Sequence, residues 1–313
     1  MKGRTRVFKV GALHHIYQRT VGGYLIFYSV RDFLVYFTIF CTVARKYDII
    51  VLGVCLMYDH IHVLVKAPSG KAMSAFVREY TSRFSRQRNV QYHRNGQFFR
   101  HRFGSAPKVN EKKVRTAISY LYNNPVEKRL SNRAEEYRWN FLSYAHCRHP
   151  FSAPLKISLA SRPLRRAIAE VRALREADRP LNYALIDRIV KNLTAEERRQ
   201  LTDYTVSLYN CISYEDLTTY YDDYQTMLTA INANTGSEYQ IKEVITPDSD
   251  KIFKEMQSVL FATGEFKEMR SVLSLSDAEK RRIAWLLAAE TGASPLQISK
   301  FLQLPSLVSG KNL

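Results

Sequence analysis

Two apolar segments separated by a short polar turn constrain the fold of this chain more than any other feature. Ile49 to Met57 is an unbroken apolar run of strand length, and His60 to Lys66 is a second run that follows the polar pair Tyr58-Asp59. Apolar runs of this length between turn signals are typical of strands that are buried in a sheet. We therefore predict two adjacent strands near the centre of the fold.

Strand-like and helix-like patterns alternate around this pair. Strands are predicted at His15 to Thr20, at Tyr24 to Tyr28 after the Gly22-Gly23 turn, and at the edge segment Gln97 to Phe103. Helices are predicted at Val30 to Tyr47 and at Lys71 to Arg88. A third helix should begin at the N-cap Asn110 and end at Pro125, because proline disrupts a helix. Helices packed on an antiparallel sheet make an α+β fold.

The second half of the chain has a different pattern, and it reads as helical to its end. Prolines punctuate a linker after residue 150. Ser276 is placed to cap a helix from Asp277 to Thr291, and Ser294 to Leu302 makes a second short helix, so the pair resembles the first two helices of a helix-turn-helix. A third helix would have only Pro305 to Leu313 available. Since single cores seldom exceed roughly 250–300 residues, we predict units at 1–150, 151–245 and 246–313.

The positive charge of the chain is confined to its first half. Residues 1–150 contain 26 Lys and Arg against 8 Asp and Glu, a net charge of +18, whereas residues 151–313 contain 21 of each. Because affinity for a polyanion comes largely from phosphates that Lys and Arg neutralise, the first half is the expected nucleic-acid binder. A generic solubilising surface is the other interpretation.

Targeting and redox features predict a cytoplasmic protein without a membrane partner. The basic N-terminal segment lacks the apolar run of a signal peptide, and no segment reaches the ~20 apolar residues of a spanning helix. The four cysteines are scattered without the short paired spacing of a zinc site. We expect them to be reduced.

His60 and His62 form the first half of a candidate metal site. Residues two apart on a strand point to the same face, so the two imidazoles project together while Ile61 and Val63 face the other way. A polar surface is the usual explanation for an isolated pair of this kind. On a strand as apolar as this one, a metal site is the stronger hypothesis.

The helix after Asn110 supplies candidate partners for the histidines. At ~100° per residue, Tyr120 and Asn124 lie only about 40° apart on its surface, so a hydroxyl and an amide oxygen can point at one place. Tyr122 is the rival nucleophile, but it lies about 160° from Asn124. Because Asn124 precedes proline, which disfavours helical geometry, Asn123 is kept as the alternative ligand.

These residues carry a resemblance. Four segments resemble, in their order along the chain, the motifs of the single-tyrosine HUH transposases, most of all their REP-associated tyrosine branch. They are His15 to Thr20, Asp59-His60-Ile61-His62, Tyr120 to Val126 and Trp139 to Tyr144. The resemblance spans roughly residues 10–146 and departs from the family at Tyr58, where proline is common. Residues 151–313 lie outside it.

The resemblance implies both a fold and an activity. It implies a ferredoxin-like antiparallel sheet flanked by helices in residues 1–150, with His60, His62 and Asn124 holding Mg²⁺ or Mn²⁺ and Tyr120 as nucleophile. The implied enzyme cleaves and rejoins single-stranded or hairpin DNA through a 5′-phosphotyrosine, as one chain or as a homodimer. A DNA-binding regulator without catalysis, or a metal hydrolase that uses water, are the alternatives.

Basic side chains with interleaved aromatics predict a groove for this DNA. The arginines expected to contact it are Arg78, Arg83, Arg86, Arg88, Arg100 and Arg102.

Overall fold

A four-stranded antiparallel sheet lies at the centre of the computed structural model, which describes residues 7–100, 103–233 and 250–305. Its strands are β1 (Leu13–Arg19), β2 (Ile50–Leu56), β3 (His60–Lys66) and β4 (Gly104–Lys108). They are ordered β2-β3-β1-β4, and each neighbouring pair is antiparallel. Helices connect β1 to β2 and β3 to β4, so the predicted α+β, ferredoxin-like fold is confirmed.

Two long helices cover one face of the sheet. Helix α1 (Val30–Lys46) begins at a capping box formed by Ser29 and Asp32 and is buried along most of its length. Helix α2 (Gly70–Gln91) packs against α1 and buries an apolar stripe, while its other faces carry arginines. From α2, Tyr80 donates a hydrogen bond of 2.5 Å to Gln18 of β1. The opposite face of the sheet is thus left for other elements.

Helix α3 (Glu111–Glu127) lies on that opposite face. The predicted N-cap is confirmed, because the Asn110 side chain accepts a hydrogen bond from the amide of Lys113. The prediction that Pro125 ends the helix was wrong by two residues. A proline removes the hydrogen bond to the carbonyl four residues earlier and crowds that carbonyl, but the turn after Pro125 still closes, with Lys128 N bonded to Asn124 O at 3.1 Å.

Two strand predictions were also wrong. Tyr24 to Tyr28 is not a strand; its amides bond to tertiary partners, such as Leu25 N to Lys300 O (3.3 Å) and Ile26 N to Tyr58 O (2.6 Å). Among the described residues of the edge segment, Phe99 forms an isolated bridge to Thr20, and the edge strand of the sheet is β4. Apolar residues in both segments serve side-chain burial without regular pairing.

The second half of the described chain is helical, as predicted. Its helices are α4 (Arg162–Glu176), α5 (Tyr183–Val190), α6 (Ala195–Tyr209), α7 (Tyr214–Thr218), α8 (Tyr224–Ala233), α9 (Ile252–Ala262), α10 (Met269–Leu273), α11 (Asp277–Thr291) and α12 (Pro295–Leu302). The predicted cap Ser276 forms a capping box, and Ser294 forms another at the start of α12. The division into three units stays a prediction, and most of the segment that a third helix could occupy, 306–313, lies outside the described residues.

These helices pack around the sheet unit. Helices α5 and α6 contact α1, α8 contacts α3, and α7 lies beside β2, where the amide of Ser213 donates to Val51 O at 2.8 Å. In the part of the chain that the structure describes, none of the helices is long and apolar enough to cross a membrane.

Candidate active site

The histidine pair lies on the sheet face that α3 covers. In the register of β3 with β1, His60 is opposite Arg19 and His62 is opposite Tyr17. Directly opposed residues share a face, so these four side chains project together. Both histidines are almost completely buried, with 1% and 0% of their surfaces exposed. Imidazoles buried this deeply need polar partners.

Asn124 of α3 contacts both imidazoles. Its Oδ1 lies 3.3 Å from His60 Nε2, and its Nδ2 lies 3.5 Å from His62 Nε2. Tyr120, one turn earlier on the same helix, places its ring edge-on to that of His62 at a centroid separation of 5.4 Å. The structure therefore brings His60, His62, Asn124 and Tyr120 together.

The rival tyrosine points elsewhere. Tyr122 is fully buried and donates a hydrogen bond of 3.0 Å to Leu52 O in β2. Burial, together with weaker repulsion from neighbouring tyrosines, raises the pKa of Tyr122 well above its ordinary value. Its ring approaches because Gly53 has no side chain; a Cβ there would lie 3.1 Å from the Tyr122 hydroxyl. Tyr122 thus anchors α3 on the sheet.

Asp59 and His15 orient the histidines and were not assigned a role from the sequence. Asp59 Oδ1 lies 2.6 Å from His60 Nδ1, and His15 Nε2 lies 3.0 Å from His62 Nδ1. With both Nδ1 atoms engaged on the outer side, both Nε2 atoms face Asn124. His15 appears in the first-strand motif, and its alternation with Tyr17 on β1 was the available signal that it shares the histidine face.

The donors at this site fit a divalent cation. Ligating histidines usually donate their second nitrogen to a carboxylate or another acceptor, as His60 does to Asp59. Among the described residues, no three His, Cys, Asp or Glu side chains form a metal cluster; the candidate third ligand is the amide oxygen of Asn124, 3.3 Å from His60 Nε2. Two imidazoles and one amide leave room for phosphate oxygens in the coordination sphere.

The Asp59 carboxylate is held in its charged form. Burial on its own would raise its pKa, but attraction and hydrogen bonding from His60, and then from Lys300, outweigh burial and leave the pKa far below its ordinary value. The Nζ of Lys300 lies 2.7 Å from Asp59 Oδ2. Asp59 is therefore a permanent acceptor for the His60 Nδ1 proton near neutral pH.

A groove of about 800 Å³ runs between α2 and the segment before β4. Of the predicted DNA contacts, Arg78, Arg86 and Arg100 line it and are exposed. None of the four candidate active-site residues lies among the residues of the described chain that line this groove. The groove and the histidine site are therefore separate features.

The other predicted arginines differ in position. Arg83 is half-buried and bound to Glu79 one turn earlier, and Arg102 lies outside the described residues. Arg88 is completely buried, and it donates hydrogen bonds of 3.0 Å to Ile26 O and to Leu25 O. Its guanidinium cannot reach DNA from there, so the assignment of Arg88 to the DNA surface is corrected to a structural one.

Two comparisons with known proteins give matches to this chain. Residues 27–124 match the family model described as "Transposase IS200 like", a segment that includes all four residues of the candidate site. A solved structure described as "Structure of the REP associates tyrosine transposase bound to a REP hairpin" aligns at 16% identity and a TM-score of 0.40, over 44% of this chain and 81% of that chain. No curated protein matches the sequence.

Proposed function

We propose, starting from the match of residues 27–124 to the IS200-like transposase model, that this chain cleaves and rejoins single-stranded DNA through a covalent bond to Tyr120. One observation carries the proposal: the Nε2 atoms of His60 and His62 converge on Asn124, one helical turn from Tyr120. The family match supports a transposase; the nucleophile and the ligand set are the proposed details.

A divalent cation is the cofactor that fits. His60, His62 and Asn124 would hold Mg²⁺ or Mn²⁺, which supplies positive charge to the phosphate oxygens as charge builds up on them. The residues around the site keep its ligands oriented. Asp59 accepts a hydrogen bond from the Nδ1 of His60, which leaves the Nε2 lone pair of His60 directed at Asn124.

The reaction conserves the phosphodiester bond energy. The Tyr120 hydroxyl loses its proton and its oxygen forms a bond to phosphorus, while the bond from phosphorus to the 3′ oxygen breaks and that oxygen takes up a proton. The products are a 5′-phosphotyrosine and a free 3′-hydroxyl. Attack by a DNA 3′-hydroxyl on the aryl phosphate reverses the step, so rejoining consumes no nucleotide.

The burial of Tyr120 favours a single strand as substrate. Only 2% of its surface is exposed, so a phosphate reaches it through a narrow opening or after covering segments move. A continuous duplex is too wide and stiff for such an entrance, whereas a single strand or a hairpin flank can bend into it. The exposed Arg78, Arg86 and Arg100 line the separate groove and would bind a part of the DNA backbone more distant from Tyr120.

Trapping a covalent adduct tests this proposal. Labelled hairpin oligonucleotides with single-stranded flanks of random sequence are incubated with Mn²⁺ and the protein, which is then denatured. We expect a labelled protein band with the wild type and no band with Tyr120→Phe or His62→Ala. Tyr122→Phe, which removes the other tyrosine hydroxyl two positions along the same helix, is the matched control and should still give a band.

The alternatives give different results in the same assay. DNA binding without any adduct or cleavage would support a non-catalytic regulator. Histidine-dependent cleavage without an adduct would support a hydrolase that uses water. An adduct that persists in Tyr120→Phe and disappears in Tyr122→Phe would mean that the wrong tyrosine has been chosen.

A further inference from the structure

A lysine from the C-terminal helix reaches the candidate active site. Lys300, in the last turn of α12, lies 2.7 Å from Asp59 Oδ2 through its Nζ, while Asp59 Oδ1 lies 2.6 Å from His60 Nδ1. The two oxygens of one carboxylate thus connect a lysine to a candidate metal ligand. Lys300 lies far outside the segment 27–124 that matches the transposase family.

Backbone and side-chain contacts fix α12 in this position. The amide of Leu25 donates to Lys300 O at 3.3 Å, and the Tyr28 hydroxyl donates to Phe301 O at 2.7 Å. Gln303 Nε2 in turn donates to the Tyr28 hydroxyl at 3.0 Å. Because Lys300 and the residues just after it are tied to the Leu25–Tyr28 segment, the ammonium group reaches Asp59 from a rigid support.

The Asp59 carboxylate depends on this contact. Its side chain is 9% exposed and that of Lys300 is 25% exposed, so little water is available to replace the ammonium group. A buried carboxylate oxygen without a donor is unfavourable, so the carboxylate is expected to rotate toward another partner. Such a rotation moves the acceptor away from the Nδ1 of His60.

We propose that Lys300 is a positioning residue of the active site: by holding Asp59 it keeps His60 oriented toward Asn124, so the C-terminal helix is part of the catalytic unit. This inference rests on the proposed function, because it assigns Lys300 to the metal site formed by His60. It gives the C-terminal helical region a specific task in the active site.

Two effects of removing Lys300 on metal affinity have opposite signs. Loss of a nearby positive charge by itself strengthens the binding of a cation, whereas loss of His60 orientation weakens it. Changes to partners of metal ligands typically weaken metal affinity about 10–100-fold. The sign of the change therefore separates positioning from simple electrostatics.

Mn²⁺ binding to the full chain without DNA provides the test. Free Mn²⁺ is measured by electron paramagnetic resonance during titration of wild type, Lys300→Met, Lys300→Arg and His60→Ala. We expect Lys300→Met to bind Mn²⁺ at least tenfold more weakly than wild type, Lys300→Arg to recover most of the affinity, and His60→Ala to lose the site. Lys267→Met, at an exposed lysine of the same region, is the matched control and should match wild type.

A second readout reports on the imidazole directly. The short contact from His60 Nδ1 to Asp59 should give a strongly downfield proton resonance, which is absent in His60→Ala. We expect it to be lost in Lys300→Met and retained in Lys300→Arg and Lys267→Met, with circular dichroism unchanged in all three.

The outcomes distinguish this inference from the function on which it rests. If wild type binds Mn²⁺ through His60 and Lys300→Met binds equally well or more tightly, the positioning role is wrong and the metal site stands. If wild type has no His60-dependent Mn²⁺ site, both proposals fail. Weaker binding by Lys300→Met that Lys300→Arg does not recover, with the downfield resonance intact, also overturns the positioning role.

Discussion

Replacing Arg88 should destabilise the fold, although this residue is one of a run of arginines on a basic helix. Its guanidinium is completely buried and donates to the backbone carbonyls of Leu25 and Ile26, each at 3.0 Å. The guanidinium carbon also lies 4.1 Å from the ring centroid of Phe98 and 4.6 Å from that of Tyr92. Arg88→Met retains much of the packing volume but removes every one of these polar contacts.

The size of the effect follows from the groups that lose their partners. Hydrogen bonds from a charged donor contribute about 1.5–3 kcal/mol each, so two of them give about 3–6 kcal/mol. Methionine regains part of this by packing on the aromatic rings and by removing a buried charge. We therefore expect the free energy of unfolding to fall by about 3–5 kcal/mol, which lowers the melting temperature by roughly 5–15 °C.

Arg86→Met is the matched control, two residues earlier on the same helix. Arg86 is exposed and lines the basic groove, and exposed substitutions usually change stability by less than about 0.5 kcal/mol. If Arg86 contacts one phosphate, its loss should reduce the slope of log affinity against log salt by about 0.7 for single-stranded DNA. The two variants should therefore affect different measurements.

Calorimetric melting and salt-dependent binding to a labelled single strand measure the two effects. Arg88→Met should melt early and, at a temperature where it is folded, keep the wild-type salt slope. A melting temperature within about 2 °C of wild type, combined with a reduced salt slope, would show that Arg88 acts at the DNA surface and that the buried position is wrong.

Two further predictions concern the surroundings of the active site. Burial, and next the Asp59 carboxylate, raise the pKa of Asp250 to about 7. The folded state therefore retains a proton that the unfolded chain releases above about pH 4. The free energy of unfolding should fall between about pH 4 and 7 by up to roughly 4 kcal/mol. Asp250→Asn should therefore raise the melting temperature at pH 8 and leave it nearly unchanged at pH 4; an equal change at both values would contradict this titration. Gly53→Ala places a Cβ 3.1 Å from the Tyr122 hydroxyl. We expect the free energy of unfolding to fall by about 1–3 kcal/mol and adduct formation to slow as α3 shifts. A wild-type melting temperature and a wild-type rate of adduct formation would show that this contact does not hold α3.

Local patterns predicted the elements that carry the site. The alternation of His60 and His62 on an apolar strand, and the cap at Asn110 that fixes the phase of α3, are properties of short segments, and the structure agrees with both. The same rules were misleading where apolar residues are buried without regular pairing. Tyr24 to Tyr28 has the composition of a strand, but its backbone bonds to Tyr58, Lys300 and the buried Arg88.

Arg88 illustrates a second limit of local patterns. Helical periodicity places Arg88 on the apolar stripe of α2, four residues after Phe84, but its charge favoured an exposed position, because most arginines are exposed. It is buried because residues distant in sequence, Leu25, Ile26 and Phe98, surround it. Composition alone does not distinguish an arginine that binds phosphate from one that binds carbonyl groups.

The contacts that orient the histidines could not be predicted in this way. His15 and His62 are 47 residues apart in sequence, and Lys300 and Asp59 are 241 apart. A lysine in the last turn of a helix is ordinary on local grounds, since it interacts favourably with the helix dipole. Net charge identified the half of the chain that should bind a polyanion, because that task needs many uncompensated cations. Positioning needs only one cation opposite one carboxylate, and the net charge of a segment does not reveal it: the C-terminal half contributes Lys300 and is still neutral as a whole.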